Sequence, residues 1–157
     1  VGAGVAFSHQ PSLFNNGMAV SVLSTAVSKC SMPFSDAFIK GILCNFLVCI
    51  AVWISFAAKE VVSKIVGLFF PIMMFVLCGF EHSIANMYYI SSGLFAKTNA
   101  TYVQAATDAG VDLTNLTWGN FFSKNLLPVT LGNIVGGAIC VGCAYWFIYL
   151  RKAKKAA

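Results

Sequence analysis

Three long apolar runs separated by polar stretches set the frame of this chain. The first extends from Ala37 to Ala58, with Lys40 near its start and Asn45 inside it; the second extends from Ile65 to about Leu94, and the third from about Asn125 to Leu150. An α-helix rises about 1.5 Å per residue, so about 20 residues cross the roughly 30 Å hydrocarbon core of a bilayer. The first and third runs each fit one crossing. The second is too long for a single straight crossing by several turns, and it carries Gly79, Glu81, His82 and Asn86 near its middle. The pattern predicts a discontinuous helix there: one half ends near Cys78, a non-helical passage covers about 79–81, and a second half starts near Glu81 or His82.

The remaining segments are shorter. Gly17 to Val27 is moderately apolar and rich in Ala, Ser and Val, and at about 11 residues it is too short to span. It predicts an interfacial or partly inserted helix that ends at Lys29, ahead of the breaker Pro33. Ser8 to Asn16 is polar and turn-forming. The opening Val1-Gly2-Ala3-Gly4-Val5-Ala6-Phe7 has neither the basic start nor the cleavage features of a signal peptide, and predicts the last turns of a membrane helix that begins upstream. Lys97 to Trp118 is polar, Asp-bearing and rich in Thr and Asn, and is expected to be an exposed loop. Its Asn99-Ala100-Thr101 and Asn115-Leu116-Thr117 triplets match glycosylation acceptors, a pattern too common by chance to carry weight.

Composition agrees with the apolar runs. Hydrophobic residues make up 59 % of the 157 and charged ones 10 %, against about 25 % charged in a typical globular domain. So little polar surface could not cover a water-facing globule of this size, which puts the chain in the helical membrane class. The net charge of +5 does not indicate nucleic acid, because the basic residues are not gathered on an aromatic-rich face. Four of them, Arg151, Lys152, Lys154 and Lys155, follow the third apolar run as at a helix stop on a cytoplasmic surface. Lys59 and Lys64 flank the link between the first two runs, whereas Asp108 and Asp112 lie in the Lys97–Trp118 stretch. The positive-inside rule then places the link and the C-terminus in the cytoplasm and the acidic loop outside, for a multi-pass protein of the cell inner (plasma) membrane. Cys44, Cys49, Cys78, Cys140 and Cys143 all fall inside apolar runs, where a thiol packs as a small hydrophobe.

The chemistry concentrates in Cys78-Gly79-Phe80-Glu81-His82-Ser83-Ile84-Ala85-Asn86-Met87. Ionisable groups in mid-membrane are costly unless they face a partner or a water-filled route, and irregular backbone is tolerated there only when packed in protein or lining a cavity. A half-helix that begins at mid-bilayer aims its positive dipole end inward, which favours an anion. Glu81 fits the first turn of that half-helix, where its carboxylate can accept N–H groups. His82 is the central candidate, since an imidazole changes charge near neutral pH and can hydrogen-bond, or protonate, a small carboxylate. Asn86 lies one turn later on the same face, and Asn45 can approach from the first run; either fits equally a buried amide that glues helices together. Lys29 sits where a pore mouth would gather anions, or is an interfacial lysine that snorkels to the headgroups. Gly132 and Gly136 form a GxxxG spacing that permits close helix approach.

Two segments, Gly79-Phe80-Glu81-His82-Ser83-Ile84-Ala85-Asn86-Met87 and Asn125 through Gly137, closely resemble the formate/nitrite transporter family, and Lys40-Gly41-Ile42-Leu43-Cys44-Asn45 with Trp53 is similar to the start of its fourth helix. The resemblance implies an all-α membrane protein with an aquaporin-like helical bundle of six helices, assembled as a homopentamer with one pore per protomer. Residues 1–157 would be the C-terminal part of a single channel domain, supplying the end of helix three and helices four to six. It further implies that His82 is the central pore histidine with Asn86 and Asn45 near it, that Lys29 is a vestibule lysine, and that Val48 and Phe75 contribute to two hydrophobic constrictions.

The expected activity is therefore passage of a small monovalent anion, formate first and nitrite or hydrosulfide as near alternatives, passive or proton-coupled through His82. No enzymatic activity, cofactor, metal or nucleic-acid partner is expected; the partners are the anion, the bilayer and further copies of the chain. Two rivals belong to other classes. A haem- or metal-binding subunit would use His82, Glu81 and Cys78, but lacks a second histidine at ligand spacing. A structural membrane subunit would enclose His82 with no passage beside it.

Overall fold

The computed structural model describes residues 16–151, Asn16 by its backbone alone. The apolar opening Val1–Phe7, the turn-forming residues up to Asn15, and Lys152, Lys154 and Lys155 lie outside the described residues. Among those described, the fold is entirely helical: α1 (Asn16–Cys30), α2 (Phe34–Ala57), α3 (Val61–Leu77), α4 (Ser83–Ala96), α5 (Ala100–Asp108) and the continuous helix α6 (Trp118–Leu150). By length and apolarity α2 and α6 are each able to cross a membrane, and α3 is a shorter apolar helix.

Two stretches differ from the sequence reading. Lys97–Trp118 is not simply an exposed loop, for α5 lies inside it. Asn99 caps that helix by accepting the Thr101 N–H at 3.0 Å, and Tyr102 and Ala106, one turn apart, are buried. Lys97 closes the segment, its Nζ donating to the carbonyls of Leu113 and Leu116, both at 2.9 Å. Two buried positions in a nine-residue helix are too faint a stripe for the pattern to register. Nearby, the Thr114 hydroxyl and N–H both donate to Asp112 and hold its carboxyl below the usual carboxylate range.

The second difference is that α6 begins at Trp118 rather than near Asn125. Thr117 caps it, accepting the Asn120 N–H at 3.1 Å, and polar Asn120, Ser123 and Lys124 disguise this first part. Its turns at Phe121–Leu126 are π-helical, with the Leu127 N–H reaching back to the Phe122 carbonyl. Pro128 follows at once; a proline lacks the N–H for a regular bond and its ring crowds the preceding turn, so a widened turn there relieves both defects.

The chain divides into two compact units. In the first, residues 16–37 and 83–128, the core joins Leu23, Ala26 and Cys30 of α1 to Ile90 and Leu94 of α4, Tyr102 and Ala106 of α5, and Leu116 and Phe121. In the second, residues 38–82 and 129–151, α2 and α6 meet backbone to backbone. A Cβ at Gly132 would stand 2.2 Å from the Phe38 carbonyl oxygen, and one at Gly136 would stand 2.1 Å from that of Ile42. Farther along the same pair, Trp53 stacks on Tyr145 with centroids 3.9 Å apart. The 17 residues of α3 include none that is buried.

Candidate functional site

The interruption between α3 and α4 is written by one glycine. Gly79 has φ +64°, a left-handed conformation that costs a residue bearing a Cβ about 1–2 kcal/mol. Around it the Gly79 N–H donates to the Val76 carbonyl at 3.1 Å and the Phe80 N–H to the Phe75 carbonyl at 3.0 Å. This pair of bonds is the Schellman closure of a helix C-terminus. The chain then runs non-helically through Phe80, Glu81 and His82 until α4 starts at Ser83.

That passage is held by backbone groups and amides. The Glu81 N–H points to the Lys40 carbonyl at a long 3.4 Å, and the Glu81 carbonyl accepts from Asn133 Nδ2 at 3.0 Å. The same Nδ2 donates to the Gly41 carbonyl at 2.9 Å, while Asn45 Nδ2 donates to the Asn133 backbone carbonyl at 3.0 Å. Glu81 and Asn133 are both buried. Glu81 therefore lies ahead of the first turn of α4 and not in it, because the Gly79 closure leaves three non-helical residues before the helix resumes. His82 is half-buried, with its ring centroid 6.3 Å from that of Phe75 and the planes 31° apart. Val48 is half-buried on α2, one turn beyond Cys44.

A second asparagine cluster belongs to the other unit. Asn86 Nδ2 donates to Asn125 Oδ1 at 2.8 Å, and Asn125 Nδ2 donates to the Lys29 carbonyl at 3.0 Å. Asn86 and Asn125 are fully buried. Lys29 Nζ stands 5.6 Å from the centroid of the Tyr89 ring, a cation–π distance. The candidates thus fall into two groups. Asn45, Glu81, His82 and Phe75 cluster around the interruption, and Lys29 and Asn86 gather around Asn125. Asn125 and Asn133 are central to these groups, yet the sequence reading gave them no role. The available signal was their polarity inside an apolar run, which the surrounding glycines made look like packing.

A sequence model described as formate/nitrite transporter matches residues 1–147. The chain belongs to the formate/nitrite transporter family. Within that family it is 43 % identical over 136 residues to the "Probable formate transporter" of Methanothermobacter thermautotrophicus, covering 87 % of this chain and 43 % of that protein. It is 42 % identical over 140 residues to the formate channel FocA of Escherichia coli strain K12, covering 88 % of this chain and 49 % of FocA. The chain spans about half the length of these curated relatives. Among solved structures, a pentameric formate channel with formate bound superposes with TM-score 0.76 at 39 % identity, over 87 % of this chain and 55 % of that one. An ion channel of the same family gives TM-score 0.63 at 32 % identity, over 81 % and 45 % of the two chains. A helical membrane bundle with a broken helix is therefore the fold of this family member, and its relatives are named as channels and transporters rather than enzymes.

Proposed function

We propose that this chain forms part of a channel for small monovalent anions, with formate as first substrate and nitrite and hydrosulfide as alternatives, assembled as a homopentamer in the cell inner membrane with its C-terminus in the cytoplasm. The observation that carries this reading is the interruption at Cys78–His82, which places a titratable ring immediately before the N-terminus of α4. A helix N-terminus presents partial positive charge and N–H groups, which favour an anion that has shed water. Val48 and Phe75 would provide the apolar constrictions that strip the solute. His82 would then donate a hydrogen bond, or a proton, to the dehydrated anion. Asn86 and Asn45 would lie near the route, Glu81 would flank it, and Lys29 would raise the local anion concentration at its mouth. The similarity to a pentameric channel solved with formate bound supports both the substrate and the assembly.

The test replaces His82 in the assembled channel and follows formate-driven flux in liposomes. A hydrogen bond to a charged group contributes about 1.5–3 kcal/mol, so His82→Phe should slow flux by roughly tenfold or more. His82→Asn should retain part of the flux and lose its pH dependence, because an amide does not titrate. Unchanged rate and unchanged pH response in both variants would remove His82 from the mechanism. A panel of formate, nitrite, hydrosulfide and lactate decides the solute.

A further inference from the structure

Asn133 has a placement that joining two helices does not require. Both hydrogens of its Nδ2 are directed at carbonyls on different segments, Gly41 on α2 and Glu81 in the interruption. Its own backbone carbonyl is held by Asn45, and its side chain is 5 % exposed. The residue is thus held at its side chain and at its backbone. Gly41 is part of the fit: a Cβ there would stand 3.3 Å from Asn133 Nδ2 and 2.8 Å from the Val129 carbonyl oxygen, so a larger residue would push the amide away.

The consequence follows from the planarity of the peptide unit. The Glu81 carbonyl oxygen lies in one plane with the nitrogen and Cα of His82, so an anchor on that oxygen fixes the plane from which the His82 side chain departs. The Glu81 N–H, which points to the Lys40 carbonyl at 3.4 Å, belongs to the preceding Phe80–Glu81 peptide and so does not set this plane. We propose that Asn133 is the positioning residue of the pore: it locks the Glu81–His82 peptide and thereby aims the His82 ring. This inference rests on the reading of His82 as the group that meets the solute. It assigns a role to a residue that contacts no solute itself.

The experiment is a double-substitution cycle in the assembled channel, with formate flux in liposomes measured across formate concentration. Asn133→Ala should lower saturating flux about tenfold or more while half-saturation changes by no more than about twofold, since the loss is in aim at the barrier and not in capture. Asn133→Ser retains one short donor and should recover part of that loss. Adding Asn133→Ala to His82→Asn should cost almost nothing further, because one residue acts through the other. Multiplicative losses in the double variant would overturn the proposal, and so would normal saturating flux in a well-assembled Asn133→Ala channel. Failure of both Asn133 variants to assemble would also overturn it, by assigning Asn133 to folding alone. An unchanged His82→Asn single variant would overturn the reading of His82 and this inference with it; loss in that variant together with multiplicative losses would sink the positioning role alone.

Discussion

A buried asparagine in a membrane-embedded helix carries two donors and an acceptor that lipid cannot satisfy. Among the described residues, Asn45, Asn86, Asn125 and Asn133 each donate from the amide nitrogen to another asparagine or to a backbone carbonyl. Asn125 is the clearest case: it takes a bond from Asn86 and gives one to the Lys29 carbonyl. Truncating Asn125 removes both bonds within a buried site, and losses of this kind cost about 1–3 kcal/mol. Asn125→Ala and Asn86→Ala should each lower the thermal midpoint of the detergent-solubilised protein. The double variant should lose less than the sum, because the two share one bond. A fully additive loss would show that the pair does not interact. The sequence revealed these side chains as polar residues in apolar runs, but which carbonyl each one meets could not be read from it.

At the scale of elements, glycine does two distinct jobs. Gly79 and Gly110, with φ +64° and +77°, end α3 and α5 by the same closure, since Val111 and Gly110 reach back to the Ala106 and Thr107 carbonyls just as Phe80 and Gly79 do to theirs. Gly132 and Gly136 instead admit a facing backbone. Gly136→Ala would set a methyl 2.1 Å from the Ile42 carbonyl oxygen and 2.9 Å from its carbon. Backbone cannot swing aside as a flexible side chain can, so α2 and α6 must separate, at a cost of about 1–3 kcal/mol or more. Gly119→Ala in the same helix meets nothing closer than 3.9 Å and should be neutral or mildly stabilising, given the better helix propensity of alanine. Thermal midpoints of the two variants in detergent should therefore move in opposite directions or differ by several degrees. The interruption at Gly79 was legible because excess length and a local breaker coincide there. The helix α5 was not, because its buried face is only two residues deep.

On the scale of the whole molecule, the exposed apolar surface of α3 is the feature that a bilayer explains. Val61, Val62, Ile65, Val66, Phe69, Phe70 and Leu77 are all at least half exposed, an arrangement suited to lipid or to neighbouring protein within the membrane. Charge at the centre of such a helix costs about 2.5–3.5 kcal/mol on insertion. Phe69→Lys should therefore reduce the membrane-inserted fraction of the chain severalfold, whereas Thr107→Lys on the polar face of α5 should leave it unchanged. Protease protection of the membrane-bound chain reads both. Equal effects from the two substitutions would show that α3 does not lie in hydrocarbon.

The sequence by itself determined the class, the family and the place where the long helix breaks. These depend on local quantities: the length of an apolar run, the conformational freedom of a glycine, the expense of a charge in lipid. Only the tertiary structure decided what holds the break in place. The bonds that do so join residues 52, 88 and 92 positions apart, and a lone asparagine in a sequence looks the same whether it glues two helices or anchors the peptide beside a histidine. Hydrogen-bond partnership is a matter of which backbones come within about 3 Å, and folding brings those partners together where sequence spacing does not reveal them.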